Sequence, residues 1–246
     1  MKILVAISKV PDSTSKISFK DNNTQFDEAG IQFIVNPYDE WYALVRALEL
    51  KENLGGAVTT ITVGEANADP VIRKALAIGA DDAVRIDAEP VDALFTANQI
   101  ASFARDKGYD LIMFGKETIN YNGSQVGAMA AGLLDLPYVS NASSLEVSGS
   151  SARLERDIQG GSQVIDVDLP AVISASKGMA EQRIPNMKGI MSARKKKLEV
   201  VAPIEAPRHT EVLSYSLPEA KSEVKLIDPD NPTELIELLH KEAKVI

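Results

Sequence analysis

Cysteine is absent from this 246-residue chain. That absence excludes disulfides, thiolate metal sites and cysteine nucleophiles. Histidine is scarce: the two present, His209 and His240, lie near the C-terminal end, far from the loops that attract interest below. A histidine-based zinc site or a Ser-His-Asp triad is therefore not expected, and no metal or catalytic residue is assigned. Basic character is also in short supply, with 26 Lys and Arg against 35 Asp and Glu and a net charge of −9. Such a balance argues against nonspecific nucleic-acid binding, which needs a basic surface. No run of about 18 apolar residues is available to span a membrane. The apolar part of the opening "MKILVAISKV" is too short for a secretory signal, and no small-residue cleavage site follows it. The expectation is a soluble, cytoplasmic protein.

What remains is an ordinary globular composition, 45% hydrophobic and 25% charged, long enough for one large domain with appendages. Short apolar runs recur in the first half: "ILVAI" (3–7), "AVTTITV" (57–63), "DAVRI" (82–86) and "DLIMF" (110–114). Helical patterns lie between them. In "YDEWYALVRALELKENLG" (38–55), Trp41, Leu44, Val45 and Leu48 share one helix face. Asn36 or Asp39 is expected to cap its start, and Gly55-Gly56 to stop it. Segment 69–82 reads as an Asp cap, a Pro in the first turn, a helix and a Gly79 stop. Two more helices are expected over 92–108 and from near Ser124 to 134.

Strands alternating with helices of this length imply an α/β fold with a parallel sheet covered on both faces. Ligands in such sheets sit beyond the C-terminal strand ends. Four loops fall there: 8–13, 36–39, 63–67 and 115–126. After Pro137 the pattern changes to β-rich runs separated by Ser/Gly turns (141–176), read as antiparallel or mixed strands. Residues 201–224 carry three prolines and no clear periodicity, which suits an extended arm lying on a partner. A Pro-led helix closes the chain over 231–246. The organisation is thus a domain over 1–200 and an arm over 201–246.

Three stretches carry chemistry. "GKETINYNGSQV" (115–126) ends a buried strand in polar residues and opens a helix. Backbone N–H groups at a helix start attract phosphate; Gly123 permits close approach, and Ser124 and Gln125 add donors. The sequence is neither a Walker A nor a G-x-G-x-x-G loop, and no Lys-Ser/Thr pair follows for Mg²⁺. Nucleotide binding without phosphoryl transfer fits; so does a plain polar loop with a capped helix. "VNPYDEWYAL" (35–44) sets an Asn and a Tyr at a strand-end crevice, where stacking on a base is one use and a simple helix start another. "SARKKKLEV" (192–200) holds four consecutive cations, read as a solvated face or as steering for an acidic partner. Upstream, "RIPNMKGIM" (183–191) sets Ile184, Met187, Ile190 and Met191 around Pro185 and Gly189, apolar groups suited to partner docking or to core burial.

Taken together these stretches resemble the electron transfer flavoprotein family, on its beta-subunit side. "KILVAISKVPD", "NPYDEWYALVRALELKE", "ALAIGADDAVRI", "DLIMFGKETINYNGSQVGAMAAGLLDLP", "LPAVIS" and "RIPNMKGIMSARKKKLEV" fall in the family's order and spacing, across essentially the whole chain. The resemblance implies a Rossmann-like adenine-nucleotide-binding domain with additional β strands and a C-terminal arm embracing an alpha subunit. It implies an electron carrier rather than an enzyme. The redox FAD would be held mainly by the alpha subunit, and an AMP would be buried in this chain. Carried over by position, the AMP contacts are Ala6, Asn36, Pro37, Tyr38, Asp39, Val63, Gly115, Lys116, Glu117, Thr118, Ile119, Asn120, Tyr121, Asn122, Gly123, Ser124, Gln125 and Val126.

The family's recognition loop falls on about 183–195, with Arg183, Ile184, Pro185, Met187, Ile190, Met191, Arg194 and Lys195 as docking residues and Met187 where the family has its anchoring Leu. A family Tyr near the flavin falls on Ser13. Expected partners are acyl-CoA dehydrogenases as donors, tied to fatty-acid β-oxidation, and a membrane quinone oxidoreductase as acceptor, with no direct membrane insertion. Two other readings stay open. One is a bifurcating form with a second FAD in place of AMP and NADH as donor; the other is a stand-alone nucleotide-binding regulator of the universal-stress type.

Overall fold

The computed structural model describes residues 1–221 and 223–246 and divides them into two units. Ser222, within the expected arm, lies outside the described residues. The first unit comprises Met1–Ile17 and Asp27–Leu213, and the second Ser18–Phe26 and Ser214–Ile246.

In the first unit, β1 (Lys2–Ala6) leads into a short β2 (Lys9–Pro11). The second unit contributes a two-strand hairpin, β3 (Phe19–Lys20) and β4 (Gln25–Phe26). Then come β5 (Phe33–Val35), α1 (Asp39–Leu54), β6 (Ala57–Val63), α2 (Asp69–Ile78), β7 (Asp82–Ile86) and α3 (Ala93–Ala104). β8 (Leu111–Gly115) and α4 (Val126–Leu134) follow. A meander of β9 (Tyr138–Ser148), β10 (Ser151–Ile158) and β11 (Gly161–Asp168) returns through β12 (Ala171–Ala175) to the middle of the sheet. α5 (Met187–Ala193) and the edge strand β13 (Leu198–Val201) complete the unit.

Among the described residues nine of the first unit's strands make one sheet, ordered β11-β10-β9-β12-β8-β1-β6-β7-β13, and β2 pairs with β5 separately. From β9 to β13 every neighbouring pair is parallel, and only β9-β10-β11 is antiparallel. Parallel strands covered on both faces should be mainly apolar, and β1 and β8 are, while β6 and β7 also bury Thr60, Thr62 and Arg85. Ile3, Val5, Leu111 and Met113 pack with α1 and α2, while Leu4, Ile61, Ile112 and Phe114 pack with α3 and α4. The expected α/β fold is therefore present, including the mixed strands after Pro137. Chain order runs outward from β1 through β6 to β7, then resumes on the other side of β1 at β8. The carboxyl ends of β1 and β8 are thus a topological switch point, where open α/β sheets bind ligands.

The helix starts differ from expectation in instructive ways. Neither Asn36 nor Asp39 caps α1: Tyr38 occupies the cap with φ 63° and no side-chain bond, because Asn36 is engaged elsewhere. Asp69 is not a cap of α2 either; a 3₁₀ turn over Ala66–Ala68 precedes it, and Asp69 Oδ1 lies 2.8 Å from Arg85 Nε. That approach brings charges together without hydrogen-bond alignment, whereas the same guanidinium donates properly to Gly64 O at 2.9 Å and Asp87 Oδ1 at 2.6 Å. Asp92 does cap α3, accepting from Phe95 N–H at 2.6 Å. α4 opens at Val126, two residues after Ser124, whose own φ is 51°. No helix among the described residues is long and apolar enough to cross a membrane.

In the second unit the β3–β4 hairpin turns through Asp21, Asn22 and Asn23, all at positive φ. Tyr215 stacks on Phe19 with ring centroids 4.8 Å apart and donates its N–H to Asn23 O at 2.7 Å. α6 (Pro232–Leu238) follows, continued by a wider turn over Leu239–Ala243, and no residue of either is buried.

Candidate functional site

The switch point is lined by the ends of β1 and β8, the entrance to α1 and the 116–125 loop. Ala6, Val63 and Gly115 each end their strand, so the sheet brings these three expected positions to one edge. The entrance to α1 joins them through side chains. Asn36, fully buried, donates from Nδ2 to Glu117 O at 2.9 Å and accepts the Ile119 N–H at 3.0 Å. Both polar ends of one amide thereby fix the first turn of the 116–125 loop. Pro37 separates Asn36 from Tyr38, whose ring is 63% exposed and tilts against Tyr42 at 6.3 Å. A tyrosine at positive φ is costly backbone that persists only where neighbours enforce it, and such strain gathers at ligand sites.

Charge at the mouth is mixed. Burial raises the Asp39 carboxyl above its ordinary range, opposed by the Lys116 ammonium and a hydrogen bond from the Glu117 N–H. Lys116 pairs with Glu117 at 2.9 Å, which holds the Glu117 carboxyl below its usual range and raises Lys116. Glu117 also accepts from Ser124 Oγ at 3.2 Å. Ser124 therefore braces the loop through Glu117 rather than capping α4, and Gln125 makes no capping bond. From Asn120 through Gln125 the loop is exposed, with Asn122 and Ser124 at positive φ and Asn122 N–H donating to Thr118 O at 2.9 Å. A Cβ built on Gly123 meets nothing within 4 Å. The loop is thus exposed and folded back on itself at Thr118–Asn122, with open space beside Gly123.

One residue that the sequence reading passed over joins the 8–13 loop to the start of α1. Glu40, 4% exposed, accepts the Ser8 N–H and the Ser8 Oγ–H, both at 2.7 Å. Burial pushes its carboxyl up to about 8, against the pull of those two bonds. A signal was available: Glu40 lies four residues before Leu44, on the apolar face of α1, where an acid is out of place.

The 183–195 segment lies elsewhere in the first unit, along α2. Arg183 forks onto Glu52 at 2.7 and 3.1 Å, and its carbonyl accepts from Trp41 Nε1 at 3.1 Å. Asn186 caps α5 by accepting the Gly189 N–H at 2.8 Å. Gly189 lies against the Ala77 carbonyl so closely that no Cβ fits. With both ends anchored, Ile184, Met187 and Met191 point outward at 81%, 74% and 68% exposure. Ile190, Pro185 and Ala193 instead line a 550 Å³ groove with Pro70, Ala77, Arg73, Lys74 and Arg194. The following run of cations is not a uniform solvated face. Lys196 turns inward to donate to Leu76 O at 2.9 Å and to Ala80 O at 2.5 Å, serving the C-terminal carbonyls of α2, and burial lowers its pKa. Lys197 is exposed and pairs with Glu199, and Arg194 and Lys195 are exposed as well. Among the described residues no group of three or more His, Asp or Glu side chains is placed to hold a metal.

A mostly parallel sheet, with helices on its faces and a polar loop at its switch point, makes this an α/β protein of the Rossmann-like kind. Comparison with known proteins narrows it. The model of the electron transfer flavoprotein domain matches residues 23–206. The chain is 35% identical over 260 residues to the electron transfer flavoprotein subunit beta of Bacillus subtilis, covering all of both chains. It is 34% identical over 250 residues to that of Syntrophomonas wolfei, covering all of this chain and 98% of the other. With the human subunit beta the identity is 35% over 209 residues, 82% of each chain. The chain belongs to the electron transfer flavoprotein family.

Proposed function

We propose that this chain is the beta subunit of a heterodimeric electron transfer flavoprotein, carrying electrons from acyl-CoA and similar dehydrogenases to a membrane quinone oxidoreductase in the cytoplasm. Residues 1–200 form its nucleotide-binding domain, and residues 201–246 its arm on the alpha subunit. The FAD, held mainly by the alpha subunit, supplies the redox chemistry when bound. This chain supplies position and environment, and it is an electron-carrier subunit rather than an enzyme.

The observation that carries the reading is the crevice at the ends of β1 and β8, set between the Asn36-braced loop and the exposed Tyr38 ring. An AMP fits its chemistry. The backbone N–H groups of Gly123 to Val126 would take the phosphate, with Lys116 the nearby cation. Tyr38 would stack on the base, and Ala6, Val63 and Gly115 would form the floor under the nucleoside. With Asp39 and Glu117 at the mouth, one phosphate is better accommodated than several. The AMP would be structural. Outward Met187, with Ile184 and Met191 beside it, supports 183–195 as the dehydrogenase-docking surface, and exposed Arg194 and Lys195 would steer an acidic partner there.

The test is reduction of the flavin in the co-purified heterodimer. Mixed with an acyl-CoA dehydrogenase and its substrate under anaerobic conditions, the flavin absorbance should bleach, and NADH alone should leave it unchanged. Bleaching by NADH would instead support the bifurcating form.

A further inference from the structure

Asn36 and Glu40 are buried polar side chains four residues apart, and they flank the strained Tyr38. Each leaves its own segment to hold a neighbouring one. Asn36 holds the loop after β8 by its two bonds at 2.9 and 3.0 Å. Glu40 holds the chain after β1, taking both donors of Ser8 at 2.7 Å. A third wall closes on the same carboxylic acid: a Cβ on Gly115 would come within 2.7 Å of Glu40 Cγ and Glu40 N. The chain just after β1, the end of β8 and the first turn of α1 thus meet at one side chain.

Resting on the nucleotide reading above, we infer that Glu40 is a positioning residue of the crevice, clamping Ser8 to α1 and thereby setting the spacing between the β1 and β8 ends. It touches no ligand. Among the described residues no cation pairs with its buried carboxyl: Lys116 pairs with Glu117, and Lys9 with Glu28 at 3.1 Å. An ion pair therefore does not account for an acid here, whereas two convergent donors on one residue do. Truncating the side chain leaves the Ser8 N–H without an acceptor in a part-buried site. An amide keeps the clamp, because its oxygen accepts the Ser8 N–H and its NH₂ donates to Ser8 Oγ, which reorients.

The test uses the full chain co-purified with its alpha partner, stripped of nucleotide and titrated with AMP. Glu40→Ala should weaken AMP binding by about tenfold or more, the affinity equivalent of one lost buried hydrogen-bond partner. Glu40→Gln should bind within about threefold of the unaltered complex. Leu154→Ala, in the meander and 1% exposed, is the stability control: it should lower the melting temperature yet leave AMP affinity unchanged. Equal affinities for Glu40→Ala and the unaltered complex, or a loss in Leu154→Ala as large as in Glu40→Ala, would overturn the inference. If the unaltered complex binds no AMP, the nucleotide reading fails by itself. Amide hydrogen exchange at Ser8 then decides the clamp: faster exchange in Glu40→Ala than in Glu40→Gln upholds it, and equal exchange overturns it.

Discussion

In the first unit Ile3, Leu44, Ile61 and Met113 are sealed from solvent, while in the second Leu217, Leu226, Ile236 and Val245 face it. The two units draw on similar residue types. What separates them is pattern. Residues 38–55 put apolar groups on one helix face and 110–114 run apolar against both faces of a parallel sheet, so each element brings a surface that another can cover. Residues 202–228 have no such period, the described ones among them lie in no helix or strand, and no described residue from 211 onward is buried. Apolar surface of this extent marks a contact site, which supports the proposed arm on the alpha subunit.

The largest expected effect breaks or keeps this contrast directly. Leu44→Ala should cost about 2–5 kcal/mol of stability in the chain, the usual range for a fully buried leucine. Leu226→Ala, at a site 88% exposed, should stay within about 0.5 kcal/mol in the chain alone. In co-purification it should lower the yield of alpha subunit. Comparable melting-temperature losses for the two variants in the isolated chain would erase the distinction between the units.

Next in size is a pH effect inside the first unit. Because burial raises the Glu40 carboxyl to about 8 in the folded chain, the folded state binds a proton that the unfolded state has already released. Its contribution is therefore most favourable below the ordinary glutamate value near 4.5 and is lost as pH rises from there through about 8, by something on the order of a few kcal/mol. Urea unfolding at a series of pH values should show that decline, and Glu40→Gln should flatten it. The smallest effect sharpens the comparison at the surface. Gly189→Ala cannot fit against the Ala77 carbonyl and should lift α5 from α2 at a cost of about 1–3 kcal/mol. Dehydrogenase-driven flavin reduction should slow with it, since Met187 and Met191 ride on α5.

Much of this was legible in the sequence. The alternation of apolar runs with helical faces gave the doubly covered parallel sheet, and the switch point followed from it. The polar loop after Phe114 announced itself because core strands do not normally end in Asn, Gly, Ser and Gln. The local details were less accessible. Asn36 looked like a cap because Asn before a helix commonly is one, but a buried amide with two backbone partners across the crevice outweighs capping, and Tyr38 bears the strain. Lys196 was one of four like charges in the sequence; only the fold reveals that the carbonyls ending α2 lie within its reach. Glu40 was hidden by its company, since an acid in the first turn of a helix is ordinary until the apolar face is traced back to it.

The most direct measurement is a count of nucleotides. The chain would be co-expressed with its alpha partner, the purified heterodimer heat-denatured, and the released nucleotides separated by chromatography. The account predicts one FAD and one AMP per heterodimer. Two FADs without AMP would give the crevice to a second redox cofactor, and a heterodimer with no adenine nucleotide beyond its FAD would contradict the phosphate-binding loop.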